Sequence, residues 1–363
     1  MINLCYVINV VKNLGPCNVI YNLTTSLSKT RYKIFLITLY RGNDEELVSQ
    51  FRKNGVEVTE LNYKNRCICF FNVKHDLTEY CVSNNIHIIH SHTLFSDLSV
   101  SMIRDVIKIS TIHNRTFEDY KYLFGEFMGK IIAKMHIHIF KKFDMCVCCS
   151  KSVFDEQRKY LNNLSVVQNG ICLPYVNEKI TREDIDIPKE ACIFIYVGSL
   201  SRRKNVVTMI KHFVNNRRAC DYLLVLGEGQ EMEACKAVSD EHVKLLGFVN
   251  NPSNYYSMAD VYISASLSEG LSLSQLEAMA FGLKQLVSDI PSHREVVETD
   301  PVVGNAFTES DFSEAFSKTI NDIGVETKQK IKAVFTEKFS VENMVNGYDE
   351  LYYSIRKEGV FNC

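Results

Sequence analysis

Residues 263–298 read ISASLSEGLSLSQLEAMAFGLKQLVSDIPSHREVVE, and the apolar period changes along them. A short apolar strand at Val261–Ala265 gives way to a polar, glycine-bearing loop at Ser266–Ser272. A helix is then predicted over Leu273–Phe281 and a second strand over Gln285–Ser288. Ser272 followed by Gln275 reads as a capping box, which starts the helix there, and Gly282 is the residue that ends it. The loop and helix start therefore offer unpaired backbone N–H groups and the positive end of a dipole, which together suit an anion. Gly270, lacking a Cβ, lets a ligand come close to the backbone.

Two carboxylates frame this loop. Glu269 precedes the anion site, and Glu277 sits on the helix among Leu276, Ala278, Met279 and Ala280. An ionised carboxylate in so apolar a setting needs donors to offset its lost hydration, and a ligand's hydroxyls would supply them. Spacing alone equally allows Glu277 to lie on a solvated helix face.

Glu269 and Glu277 form a Glu-x7-Glu arrangement within SEGLSLSQLEAMAFG, which resembles the signature of the family-four retaining glycosyltransferases. The resemblance implies the GT-B fold, an α/β architecture of two Rossmann-like domains facing a central cleft. It also implies a nucleotide-sugar donor, with Glu269 addressing the donor sugar, Glu277 holding the ribose, and the amides around Gly270, Leu271 and Ser272 meeting the diphosphate. The family commonly has a glycine where Ser272 stands.

The whole chain fits that class. Its 363 residues suit two ordinary domains, and 46% hydrophobic against 23% charged residues is a globular balance. A net charge of −2 and the lack of a basic, aromatic-interleaved cluster argue against a nucleic-acid partner. Thirteen irregularly spaced cysteines fit a reduced, cytoplasmic protein better than a disulfide framework. Cys146 and Cys149 form a CxxC without a second ligand pair, so buried thiols are the better reading. The opening MINLCYVINVV has no basic flank and is too short to span a bilayer, so neither a secretion signal nor a membrane span is expected.

In the first half, a strand at Leu4–Val11, the loop Lys12–Asn18 and a helical pattern through Ser28 open a nucleotide-type α/β unit without GxGxxG. Gly15 matches the family's glycine here, and Asn18 follows where donor or acceptor can be touched; a plain βα turn is the other reading. Strand Ile86–His90 ends in His90-Ser91-His92, three candidates for a ligand crevice by position. No carboxylate or cysteine lies at a spacing that would turn that histidine pair into a metal site. His113, just past strand Ile107–Ile112, is suited to a bound hydroxyl, and similar members place a histidine against the transferred sugar. Lys121–Phe143 reads as one long basic amphipathic helix. Such a helix can contact an anionic membrane face, although a domain helix with snorkelling lysines is favoured. VVQNGI, ending at Ile171, resembles the family's domain boundary.

In the second half, Thr181–Glu190 reads as a linker, followed by strand Cys192–Val197 and Gly198-Ser-Leu-Ser-Arg-Arg-Lys-Asn205. Adjacent cations after a glycine turn and at a helix start make a phosphate-binding arrangement. It resembles the family's phosphate loop, with Lys204 at its lysine and Arg203 beside it. Gly227 opens a segment resembling the GxG loop near the nucleotide, and Phe248 and Val249 match the segment whose backbone contacts the base. From Ser310 to Asn362 the pattern is helical.

These readings give an N-terminal acceptor domain at 1–172, a nucleotide-sugar-binding domain at 173–340, and a final helix at 341–363 expected to cross back to the first domain. The expected reaction moves a sugar, from a UDP-sugar in preference, to a saccharide or lipid-linked acceptor. No cofactor or metal is expected, because Arg203, Lys204 and a helix dipole already serve the phosphates. The resemblance points to surface-polysaccharide assembly at the cytoplasmic membrane face. The alternatives are a GT-B nucleotide-sugar epimerase and a non-catalytic sugar-nucleotide-binding protein.

Overall fold

The computed structural model describes residues 1–64, 70–176 and 180–360. They form two compact units, one of Met1–Gly170 with Val341–Cys363 and one of Ile171–Ser340. The first carries seven strands: β1 (Ile2–Ile8), β2 (Tyr32–Tyr40), β3 (Glu57–Tyr63), β4 (Ile88–Ser91), β5 (Ile107–Ile112), β6 (Met145–Cys148) and β7 (Leu164–Val166). The second carries six: β8 (Cys192–Val197), β9 (Asp221–Leu226), β10 (Val243–Gly247), β11 (Val261–Ser264), β12 (Lys284–Ser288) and β13 (Gly304–Phe307). The sheet orders are β3-β2-β1-β4-β5-β6-β7 and β10-β9-β8-β11-β12-β13, with every pairing parallel. Central strands such as β1 and β8 are apolar without alternation because helices cover both faces of each sheet.

In each sheet the strand order reverses once, between β1 and β4 and between β8 and β11. At such a point the two following loops diverge to opposite faces and leave a crevice beyond the strands' carboxyl ends. In the first unit those loops begin at Asn9 and His92; in the second they begin at Gly198 and Ala265.

Several sequence expectations need correction. Thr181–Glu190 is not a linker: Ile187 is buried, and Arg182 donates to the carbonyls of Ala191 at 2.6 Å and Met258 at 3.1 Å. The segment thus packs on the second unit, and the chain passes between units at Gly170–Ile171 and Ser340–Val341. The long helix is two, Thr116–Phe124 and Glu126–Phe140, because Gly125 takes φ 81° and breaks the ladder. They meet closely at Gly129, where a Cβ would lie 2.5 Å from the Tyr120 carbonyl oxygen. The first strand runs from Ile2 to Ile8, ending before Asn9.

The helix Val341–Val360 belongs to the first unit. Its buried Tyr352 hydroxyl lies 2.8 Å from His90 Nδ1 and 3.1 Å from the Tyr6 hydroxyl, and the Tyr348 hydroxyl lies 2.8 Å from Thr111 Oγ1. The sequence expectation of helix at 361 and 362 falls outside the described residues.

Candidate functional site

In the second unit the loop after β8 and the loop after β11 are stitched together. Leu267 N donates to the Arg203 carbonyl at 2.8 Å, and Arg203 Nη1 donates to the Ser268 carbonyl at 2.6 Å. Glu269 then receives both cations, Arg203 Nη1 on Oε2 at 3.0 Å and Lys204 Nζ on Oε1 at 2.5 Å. Burial alone would raise the Glu269 carboxyl, but Lys204 and Arg203 overcome it and hold it near 2. The result is an ionised carboxylate with two partly exposed cations, at the place where the sheet order reverses.

Below this cluster the helix Leu273–Ala280 begins with Ser272 at its N-cap. The expected capping box does not form. Ser272 Oγ pairs with Ser274 Oγ at 3.1 Å, and Gln275 turns its amide inward, fully buried, where neither polar atom finds a protein partner. No side chain caps this helix, so its first-turn amides keep their donors for a ligand. Gly270, Leu271 and Ser272 are buried beside it, and Gly282 ends it at φ 78°.

Glu277 lies half-buried on that helix, in reach of the Tyr256 hydroxyl at 3.2 Å. Burial pushes its carboxyl up to about 7, against a small opposing pull from Tyr256. The apolar setting expected from its neighbours is present, with one donor the sequence did not reveal.

The remaining second-unit candidates form a backbone floor. Gly198 N donates to the Leu226 carbonyl at 3.0 Å and Gly227 N to the Gly247 carbonyl at 2.7 Å. Gly227 has φ 142°, and a Cβ there would fall 1.9 Å from the Gly198 carbonyl oxygen, so both the conformation and the approach require glycine. Phe248 and Val249 follow directly, with the Phe248 ring exposed.

His293 was not singled out from the sequence, although it sits within the opening stretch and just past a strand. It is fully buried, its Nδ1 lies 3.1 Å from Ser288 Oγ, and its Nε2 has no partner. Burial takes its ring down to about 4, and it feels the charges of Glu269 and Lys204.

The crevice of the first unit is a pocket of about 280 Å³ lined by Asn9, Pro16, His92, His113 and the apolar Leu123 and Phe124, among others. Asn9 brings the first loop to it and Pro16 the start of the helix Gly15–Ser26, which begins inside the loop expected over Lys12–Asn18; Gly15 and Asn18, the latter bonded to Asn13 Oδ1 at 3.1 Å, do not line it. His113 Nε2 lies 2.9 Å from His92 Nδ1, burial lowers His113 to about 4, and the buried His92 Nε2 has no partner. His90 and Ser91 are core residues instead of ligand groups. His90 uses both ring nitrogens on Tyr352 and Thr111, and Ser91 Oγ donates to buried Asp97 at 2.6 Å. Asp97 also accepts from Ser110 Oγ at 2.7 Å and pairs with His136 at 2.9 Å, a network invisible to sequence spacing. Among the described residues no three His, Cys, Asp or Glu side chains gather as a metal site, and Cys146 and Cys149 are buried thiols outside any disulfide.

Two doubly wound parallel sheets, each with polar groups at its order reversal, are the two Rossmann-like units of the GT-B fold. Residues 15–173 match the family described as Glycosyltransferase Family 4 and residues 177–333 that described as Glycosyl transferases group 1, and the chain belongs to the family-four GT-B glycosyltransferases. It is 25% identical over 373 residues to the Escherichia coli O-antigen biosynthesis glycosyltransferase WclY, covering 98% of this chain and 99% of that one. The Escherichia coli UDP-Gal:alpha-D-GlcNAc-diphosphoundecaprenol alpha-1,3-galactosyltransferase is 26% identical over 59% of this chain and 60% of its own length. In fold, the chain is similar to Anabaena HepE, solved with UDP and glucose, at a TM-score of 0.80 with 13% identity, covering 98% of this chain and 100% of that one.

Proposed function

We propose that this glycosyltransferase transfers a hexosyl unit from a UDP-sugar, with retention and without a metal, to a saccharide or lipid-linked acceptor in surface-polysaccharide assembly. The observation that carries the donor assignment is the cluster of Arg203, Lys204 and Glu269 on the two loops flanking the β8–β11 reversal. Arg203 and Lys204 neutralise the diphosphate and stabilise it as leaving group, and the uncapped amides of the helix Leu273–Ala280 share that charge. With two cations and a dipole on the phosphates, a divalent ion has no unfilled role. Glu269, ionised through its cation pair, accepts hydrogen bonds from the donor sugar's hydroxyls. Glu277 accepts from the ribose hydroxyls, which supply the donors its apolar surroundings lack. Gly198 and Gly227 admit the donor against bare backbone, and Phe248 and Val249 border the base.

In the first unit His113 faces the acceptor side, hydrogen-bonded to His92 and held neutral by burial, so it serves as a hydrogen-bonding group and not as a cation. Gly15 and Asn18 lie on the first helix, outside the pocket that holds His113, and take no part in this reading. The relatives' printed names supply the support for the acceptor class: O-antigen biosynthesis in one and a diphosphoundecaprenol-linked acceptor in another.

The test is calorimetric titration with UDP-, GDP- and ADP-sugars. UDP-sugars should bind best. Arg203→Ala with Lys204→Ala should weaken binding and cut turnover by well over tenfold, since each charge-assisted contact contributes roughly 1.5–3 kcal/mol. Unchanged binding and turnover in that double variant would remove the phosphate role.

A further inference from the structure

On the donor reading of the loop after β11, we propose that His293 is a positioning residue for Glu269. Held as its Nδ1–H tautomer, it commits the Ser288 hydroxyl to the Ser266 carbonyl and so fixes that loop from the β12 side. In the second sheet β11 lies between β8 and β12, so the loop that follows it has a neighbour on each flank. Toward β8 the side-chain ties are cationic, from Arg203 and Lys204. Toward β12 the tie is neutral: Ser288, the last residue of that strand, donates its hydroxyl to the Ser266 carbonyl at 2.6 Å.

His293 decides where that hydroxyl points. The ring belongs to the helix Pro291–Val297 and is fully buried, with Nδ1 3.1 Å from Ser288 Oγ and 3.1 Å from the Ser288 carbonyl oxygen. A carbonyl can only accept, and the single hydroxyl proton of Ser288 already lies on Ser266. Nδ1 must therefore carry a proton and share it between the two oxygens of Ser288. With that N–H at its oxygen, the serine cannot turn its own proton towards the ring and keeps it on Ser266. Burial holds the ring down at about 4, so it is neutral at ordinary pH. Nε2 is then a bare lone pair, buried without a partner among the described residues. Packing alone would be served by a leucine, which leaves no nitrogen unmet; the histidine adds the bond made by its other nitrogen.

The cations cannot hold Glu269 by themselves once a donor binds. Arg203 and Lys204 grip it at 3.0 and 2.5 Å, and the same two groups serve the diphosphate. As they turn towards phosphate, their hold on Glu269 loosens when it must address the sugar. The relay of His293 and Ser288 is uncharged and lies on the other flank, so it keeps the loop in place in both states.

Nitrogen NMR of the imidazole and calorimetry test this on the full chain. At about pH 7 the His293 ring should be the neutral Nδ1–H form; an Nε2–H form overturns the proposal whatever the donor does. Calorimetry compares UDP with UDP-glucose and UDP-galactose, and the ratio of the tighter UDP-sugar to UDP isolates the sugar. Ser288→Ala and His293→Gln should each lower that ratio by roughly tenfold, with UDP affinity near the wild-type value. His293→Asn, whose amide N–H falls where Nδ1 stood, should restore most of the loss, whereas the glutamine amide falls where Nε2 stood. A side chain that only filled space would make the two amides alike. Thermal melts confirm that each variant is folded at the assay temperature. The proposal fails if the asparagine and glutamine variants match, or if Ser288→Ala binds the UDP-sugar as the wild type does. Glu269→Gln separates the two readings. If it leaves the ratio unchanged, the sugar role of Glu269 falls and the role of His293 with it. If it lowers the ratio while Ser288→Ala and His293→Gln do not, Glu269 keeps its role and His293 alone loses its own.

Discussion

Two glutamates eight positions apart meet opposite electrostatic fates. Glu269 is buried yet ionised, because Lys204 and Arg203 outweigh desolvation. Glu277 has the Tyr256 hydroxyl beside it, and burial pushes it up to about 7. Its folded value exceeds the ordinary value of about 4.5, so the folded protein binds the proton more tightly than the unfolded chain. Stability from this group is therefore present below about pH 4.5 and is lost as pH rises towards 7. The Glu277→Gln variant should be more thermostable than wild type at pH 8, by up to roughly 2–3 kcal/mol, and should flatten the pH dependence between those values. It should also bind the nucleotide donor more weakly, since an amide cannot accept on both atoms. Thermal melts over a pH series measure the first effect and calorimetry the second; an unchanged pH profile would return Glu277 to a solvated surface. That Glu269, Arg203 and Lys204 belong together was legible because each lies inside a short motif, and the structure brings the three side chains into contact. Tyr256 and His293 were not, because what matters about them is a neighbour that only the fold brings near.

At the scale of elements, period placed the core strands well because both faces are covered and apolar residues run without interruption. Local signals failed where packing overrode them. Ser272 and Gln275 have the spacing of a capping box, yet burying the Gln275 side chain takes it away from the helix start. The pattern from Lys121 to Phe143 is helical throughout, but Gly125 breaks it so that the two helices can fold against each other. Gly129 decides how closely they approach. An alanine there would gain up to about 1 kcal/mol of helix propensity. That gain is outweighed, because the added Cβ meets the Tyr120 carbonyl oxygen at 2.5 Å and backbone cannot rotate away. Gly129→Ala should thus destabilise the first unit by about 1–3 kcal/mol. A melting temperature above wild type would show that the hairpin is looser than this contact requires.

At the scale of the molecule, the doubly wound order of each sheet follows from alternating strand and helix patterns, and the crevices follow from the order. What spacing could not show is how the last helix closes the first unit. Tyr348 and Tyr352 lie 237 and 262 positions from the Thr111 and His90 side chains they meet. Nothing in a tyrosine at those positions announces a buried histidine as its partner. His90 is fully buried and held neutral, so each ring nitrogen needs one partner, and Tyr352 supplies one of them. Removing that hydroxyl leaves a buried nitrogen and the Tyr6 hydroxyl short of a partner, at a cost of about 1–3 kcal/mol. Tyr348→Phe alone should cost less, because Thr111 keeps its bond to His90 Nε2 at 2.8 Å. The double variant should cost less than the sum of the two, since either deletion alone already removes the coupling that runs through His90 and Thr111. Hydrogen exchange should accelerate across Val341–Val360 and in β4 and β5, where His90 and Thr111 sit. The Arg203, Lys204 and Glu269 cluster on the loops after β8 and β11, which we propose binds the donor, contains no residue of this network, so nucleotide affinity measured below the first unfolding transition should remain at the wild-type value. If exchange in the last helix stays slow in the double variant, its apolar packing alone holds the first unit closed.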